Sequence, residues 1–102
     1  MSWYDPNTYV GVPYKKGGKS LSEGFECTEF VRFWNREKRG VELPENMISW
    51  RHYFRKFDWP CGVKRDDVII LKNKNDLRLH MGVAVSPSEF VHASFEYGQV
   101  VQ

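Results

Sequence analysis

Two alternating apolar runs near the end of the chain, His80 to Ser86 and Glu89 to Ser94, are separated only by Pro87-Ser88. A connection that short joins antiparallel neighbours, so these residues predict a β-hairpin, and the rest of the chain must fold around it. Val68-Ile-Ile-Leu71 is short, apolar and β-branched, and the polar cluster Lys72 to Asp76 after it reads as a hairpin loop. Before Pro60 the character of the sequence is different. From Cys27 to Arg39 the apolar residues Phe30, Val31 and Trp34 recur at helical spacing, Arg32, Arg36, Glu37 and Lys38 supply a wet face, and Gly40 stands where a helix C-cap is expected. A second amphipathic stretch, Met47 to Phe57, carries Ile48, Trp50, Tyr53, Phe54 and Phe57 and predicts another helix. Gly11, Pro13, Gly17, Gly18 and Gly24 mark residues 11 to 24 as an irregular loop segment. Helices followed by a small antiparallel sheet make an α+β arrangement.

The chain has 102 residues, enough for one compact domain over 1–102. A hydrophobic share of 41% and a charged share of 27% exclude a disordered tail or a collagen-like fibre, and an aromatic share of 16% lets a short chain bury a large area per residue. The formal net charge of +2 is too small to indicate nucleic acid as a partner. Arg51, Arg55, Lys56, Lys64 and Arg65, interleaved with Tyr53, Phe54, Phe57 and Trp59, read as a solvated face over an aromatic core. No apolar run approaches the roughly 20 residues that a membrane span needs. The opening Met1-Ser-Trp-Tyr-Asp-Pro6 lacks the basic and apolar segments of a secretory signal. The expectation is synthesis in the cytoplasm and no membrane span.

Two cysteines, Cys27 and Cys61, allow at most one disulfide, and no Cys-x-x-Cys pair suggests zinc or a redox dithiol. Cys27 lies where the glycine-rich segment meets the predicted helix. Unpaired N–H groups and the positive end of the helix dipole there favour a thiolate. Activation at neutral pH also needs an imidazole to take the proton. His80 and His92, twelve residues apart, open one hairpin strand and lie near the end of the other, so a suitable register brings them together. His52, on the aromatic-rich stretch between Arg51 and Arg55, reads as structural, and Cys61, in Trp59-Pro-Cys-Gly62, as a turn residue. A zinc site from Cys27, His80 and His92 is disfavoured because zinc ligands come as closely spaced pairs.

The segments Gly11-Val-Pro-Tyr14-Lys-Lys-Gly17-Gly18, Gly24-Phe-Glu-Cys27-Thr, Gly40-Val-Glu-Leu-Pro44, Asp67-Val-Ile, His80-Met-Gly82-Val and Phe90-Val-His92-Ala resemble the NlpC-type cell-wall cysteine peptidases, over residues 9 to 98. The resemblance implies a reduced papain-like fold, with the catalytic cysteine at the N-terminus of a helix packed on an antiparallel sheet. It implies hydrolysis of the peptide stems of bacterial peptidoglycan, commonly between D-glutamate and a diamino acid. Cys27 would be the nucleophile, His80 the general base, His92 the residue that orients His80, and Tyr14 a neighbour of Cys27 that helps to stabilise the oxyanion. No cofactor or metal is implied.

Three departures from the family pattern stand out. Relatives carry Asp-Cys-Ser-Gly where this chain has Glu26-Cys27-Thr28-Glu29, which puts bulk and negative charge one turn into the helix and threatens to narrow the cleft. The usual Gly-Asp before the first strand is Asp66-Asp67. The chain also reaches Gln102 without the last strand common in relatives, so one sheet edge is expected to be bare and available to a partner chain. The short chain, the missing last strand and the lack of an export signal suggest delivery to the cell wall by another machine and an alternative, a structural or assembly module of a phage tail or secretion particle that keeps the peptidase fold. A tail component that opens the wall satisfies both readings. A third reading uses the same Cys–His chemistry for acyl transfer.

Overall fold

The structure, a computed structural model, describes residues 4–5, 7–46, 49–50, 62–72 and 79–102. The segment expected to be irregular contains a small hairpin, β1 (Lys19–Ser20) and β2 (Gly24–Phe25). A Cβ on Gly18 would collide with the Gly24 backbone, so the motif glycine is what lets the hairpin close. Helix α1 follows, Cys27–Arg39, over the span that the apolar spacing predicts. It ends at Gly40, which adopts the left-handed region at φ 64° and returns its N–H to the Asn35 carbonyl. Buried Asn35 is satisfied in turn: its amide donates to the Val31 carbonyl and its Oδ1 accepts from Arg39.

The main sheet is an antiparallel meander in the order β3 (Val68–Lys72), β4 (Leu79–Ser86), β5 (Glu89–Ser94) and β6 (Gln99–Val101). The turn between β4 and β5 falls at Pro87-Ser88, as expected. Strand alternation sorts the side chains into two sets. Met81, Val83 and Val85 of β4, Val91 and Ala93 of β5, and Val100 of β6 are fully buried and pack in one core with Phe25, Phe30, Val31, Trp34 and Leu43. His80, Gly82 and Ala84 alternate with the first set on β4, as Phe90 and His92 do on β5.

Two expectations are corrected. Strand β6 was not anticipated, and the sheet edge expected to be bare is occupied. The Gly11 N–H donates to the Val100 carbonyl (2.9 Å), the Val100 N–H to the Val12 carbonyl (2.7 Å) and the Tyr14 N–H to the Gly98 carbonyl (2.9 Å). Residues 11 to 14 therefore run along β6, with Pro13 opposite Gln99.

Asp66, which stands where the family pattern has glycine, adopts the left-handed region at φ 71°. Asp is one of the few side chains that tolerates this region. The carboxylate also accepts a hydrogen bond from the buried Trp34 indole N–H (2.7 Å) and one from the Tyr4 hydroxyl (3.4 Å).

Most of the second predicted helix, Met47 to Phe57, lies outside the described residues, as do His52, Cys61 and residues 73 to 76 of the expected loop. Trp50, which is described, is buried and donates its indole N–H to the Pro44 carbonyl. Of the basic group, Lys64 is exposed, and the guanidinium of Arg65 lies 5.1 Å from the Tyr4 ring centre. Among the described residues no helix is long and apolar enough to cross a membrane.

Candidate active site

Cys27 is the first residue of α1 and carries a free, partly buried thiol. Glu26 before it is extended, at φ −81° and ψ 156°, and makes no side-chain cap. The helical ladder opens with the Phe30 N–H on the Glu26 carbonyl, so the N–H groups of Cys27, Thr28 and Glu29 have no helical acceptor. Burial pushes the Cys27 thiol up and the Glu26 carboxylate adds to that, while the backbone N–H groups of Thr28, Met81 and Cys27 itself pull the other way. The net direction is upward. Dehydration and the adjacent carboxylate thus oppose the thiolate that a helix terminus favours.

His80 and His92 meet. The β4–β5 register shifts by one residue between Ala84 and Ser86, and the ladder beyond the shift, Ala84 opposite Phe90 and Val83 opposite Val91, continues to set His92 across from Gly82. A Cβ on Gly82 would lie 2.5 Å from the Val91 carbonyl oxygen, 2.6 Å from Phe90 Cδ2 and 3.0 Å from His92 Cβ. The missing side chain lets the His92 ring lean diagonally towards His80. Nε2 of His80 and Nδ1 of His92 share a hydrogen bond, with ring centres 4.5 Å apart and planes at 82°. Phe90 stacks on His92 at 5.0 Å and 28°. Burial pushes the His80 pKa down; burial and then the neighbouring His80 push His92 down to about 4. Both shifts favour the neutral ring.

The link from this pair to the thiol runs through Met81, the next residue after His80, whose backbone N–H stabilises the Cys27 sulfur. That contact brings the start of α1 to the head of β4. Tyr14 reaches the same neighbourhood through its backbone. It forms a parallel bridge with Phe25, two residues before Cys27, and its ring stands edge-on to Phe95 at 5.7 Å between centres. Glu29, expected to crowd the cleft, is held by Arg32 at 3.0 Å, and Arg32 also donates to the Leu43 carbonyl (3.1 Å). Its charge is thus matched within α1. Among the described residues no three His, Cys, Asp or Glu side chains are grouped as a metal would require.

Residue types alone did not single out Gly82, Phe90 or the Met81 N–H. Gly82 and Phe90 share strand parity with His80 and His92, which was the available signal.

Residues 11–102 match the pattern of the NlpC/P60 family. The chain belongs to the NlpC/P60 family. It is 30% identical over 95 residues to a probable endopeptidase NlpC homolog of Haemophilus influenzae, covering 93% of this chain and 49% of that protein. It is 31% identical over 87 residues to the gamma-DL-glutamyl hydrolase of Bacillus subtilis, covering 84% and 21%. It is 29% identical over 93 residues to the murein DD-endopeptidase MepS/murein LD-carboxypeptidase of Escherichia coli K12, covering 91% and 48%. The chain thus spans about half the length of two of these curated relatives and about a fifth of the third. In fold it is similar to the crystal structure of the NlpC/P60 domain of the peptidoglycan hydrolase SagA, with a TM-score of 0.72 at 23% identity, covering 93% of this chain and 79% of that one. The family and the α+β fold implied by the motifs, a helix packed on an antiparallel sheet, are both borne out.

Proposed function

We propose that this NlpC/P60 chain is a cysteine endopeptidase acting on the stem peptides of bacterial peptidoglycan, at a D-glutamyl-diamino acid type of bond. Cys27 is the nucleophile, His80 the general base and His92 the positioning residue, and Tyr14 stands beside the developing oxyanion. The observation that carries this reading is the His80–His92 hydrogen bond, set one residue from the backbone N–H that meets the Cys27 sulfur. Relatives named endopeptidase and hydrolase support it.

The tautomers follow from the geometry. If His80 Nε2–H donates to His92 Nδ1, His80 Nδ1 keeps a lone pair with which to accept a proton. A neutral thiol and a neutral imidazole then react in concert. The S–H proton passes to His80 Nδ1 as sulfur bonds to the amide carbonyl carbon, and the negative charge goes to the carbonyl oxygen. The unpaired N–H groups at the start of α1 are positioned to receive that charge. The imidazolium returns its proton to the departing amine as the C–N bond breaks, leaving an acyl-Cys27. Water, deprotonated by His80, then hydrolyses the thioester to a carboxylate and restores the thiol.

Purified stem peptides incubated with the wild type and with Cys27→Ala test the assignment. Hydrolysis is expected from the first and none from the second; equal rates would remove it. The alternative as an assembly module lost one of its motives when residues 11 to 14 proved to occupy the β6 edge. Delivery to the wall by a tail or a secretion apparatus is not needed for the chemistry.

A further inference from the structure

Phe95 and Tyr97 are 74% and 70% exposed, in the turn that joins β5 to β6. Two rings left in water on one four-residue turn are unusual for a surface that meets only solvent. The turn is well fixed. The Tyr97 N–H donates to Ser94 Oγ (3.2 Å), the Gly98 N–H to the Phe95 carbonyl (3.3 Å), and the Gly98 carbonyl accepts from the Tyr14 N–H (2.9 Å). Phe95 is also linked to the candidate site, and Tyr97 shares its turn. The edge of one ring in the Tyr14–Phe95 pair meets the face of the other, Tyr14 is bridged to Phe25 two residues before Cys27, and β5 carries His92 three residues before Phe95. An exposed aromatic turn therefore adjoins Tyr14, one of the residues proposed above.

We infer that Phe95 and Tyr97 form a platform for the amino-sugar of the glycan strand, which extends the substrate from a bare peptide to a sugar-bearing one. The inference rests on the peptidoglycan reading of the site. The faces of a pyranose ring present C–H groups, which carry slight positive charge and match the negative face of an aromatic ring. The hydroxyl and amide groups around the sugar stay wet, as an exposed platform requires. A stem peptide hangs from its sugar by its first residue, so a bond after the second residue has the sugar only two residues and a short acyl link away. A rim in ring contact with Tyr14 suits that nearness. The exposed polar neighbours Glu96 and Gln99 offer hydrogen bonds to a sugar's edge, which a purely apolar partner would leave unused.

The test is titration calorimetry on full-length Cys27→Ala with two probes, a muramyl tripeptide and the same tripeptide without its sugar. The sugar-bearing probe is expected to bind about tenfold tighter, a difference of about 1.4 kcal/mol. The double substitution Phe95→Ser with Tyr97→Ser should equalise the two affinities without lowering the melting temperature. Equal binding of both probes by the parent, no binding of either, or a sugar preference that survives the double substitution would each overturn the platform. So would a dimer that the double substitution dissociates while affinities stay unchanged, since the rings would then serve a second copy. Hydrolysis of sugar-free stem peptides by the wild type reads the peptidase assignment separately, so either idea can fail alone.

Discussion

In the mechanism proposed above three side chains set the chemistry, and burial disfavours the charged form of each. His92 is the clearest case, with a pKa near 4 from burial and from the neighbouring His80. A neutral His92 accepts from His80 and does not repel the positive charge that forms there during attack. Cys27 is pushed up by burial and by Glu26, so no standing ion pair is required. The sign of the pH dependence follows. His80 must be neutral to accept the thiol proton, and its lowered pKa keeps it neutral at pH values where a free imidazole, near 6.5, would be charged. Hydrolysis by the wild type should therefore rise through an apparent pKa below 6.5 and stay flat through neutrality. Labelling of Cys27 by iodoacetamide should have its midpoint above the value of about 8.5 for a free thiol. A labelling midpoint well below 8 would show a thiolate–imidazolium pair at rest and refute the neutral pair.

At the scale of elements, α1 and the β4–β5 hairpin were legible because each repeats one period long enough to see. Phe30, Val31 and Trp34 state the helix, Gly40 states its end, and Pro87-Ser88 marks the turn of the hairpin, whereas the one-residue register shift between Ala84 and Ser86 that aligns His92 with Gly82 leaves no local sign. Strands β1, β2 and β6 have two or three residues each, too few for alternation to appear. Their pairing depends on partners distant in sequence, which no local pattern records. The role of Asp66 was hidden for a similar reason. As a departure from the family's Gly-Asp it read as a change in a turn, yet its carboxylate joins that turn to the buried indole of α1 at 2.7 Å. Asp66→Ala leaves the Trp34 N–H without this acceptor and adds strain at a positive φ, so urea unfolding should show a loss of about 1–3 kcal/mol. Asp66→Asn keeps an acceptor and a side chain that tolerates the conformation, and should lose less. A loss for Asn as large as for Ala would mean that charge, and not the hydrogen bond to Trp34, is what the position supplies.

At the scale of the molecule, the candidate site is assembled from parts of the chain that only the finished fold brings close. Tyr14 comes from the first strap, Cys27 from the start of α1, and the two histidines from the hairpin. The strap is what connects the first of these to the rest. By pairing with β6 on one side and bridging to Phe25 on the other, residues 11 to 15 tie the far edge of the sheet to the entry of α1. The edge protection that keeps β6 from pairing with another chain therefore also positions Tyr14. If this is one cooperative unit, the Val100 amide, bonded to the Val12 carbonyl at 2.7 Å, should resist hydrogen exchange as strongly as the Ala84 amide inside the sheet, bonded to Asp67 at 2.8 Å. Val100 exchanging as fast as an amide on an open sheet edge would mean that the strap detaches on its own. In that event Tyr14 would not be held in place beside Cys27, and its part at the oxyanion would have to be given up while the cysteine and histidines kept theirs.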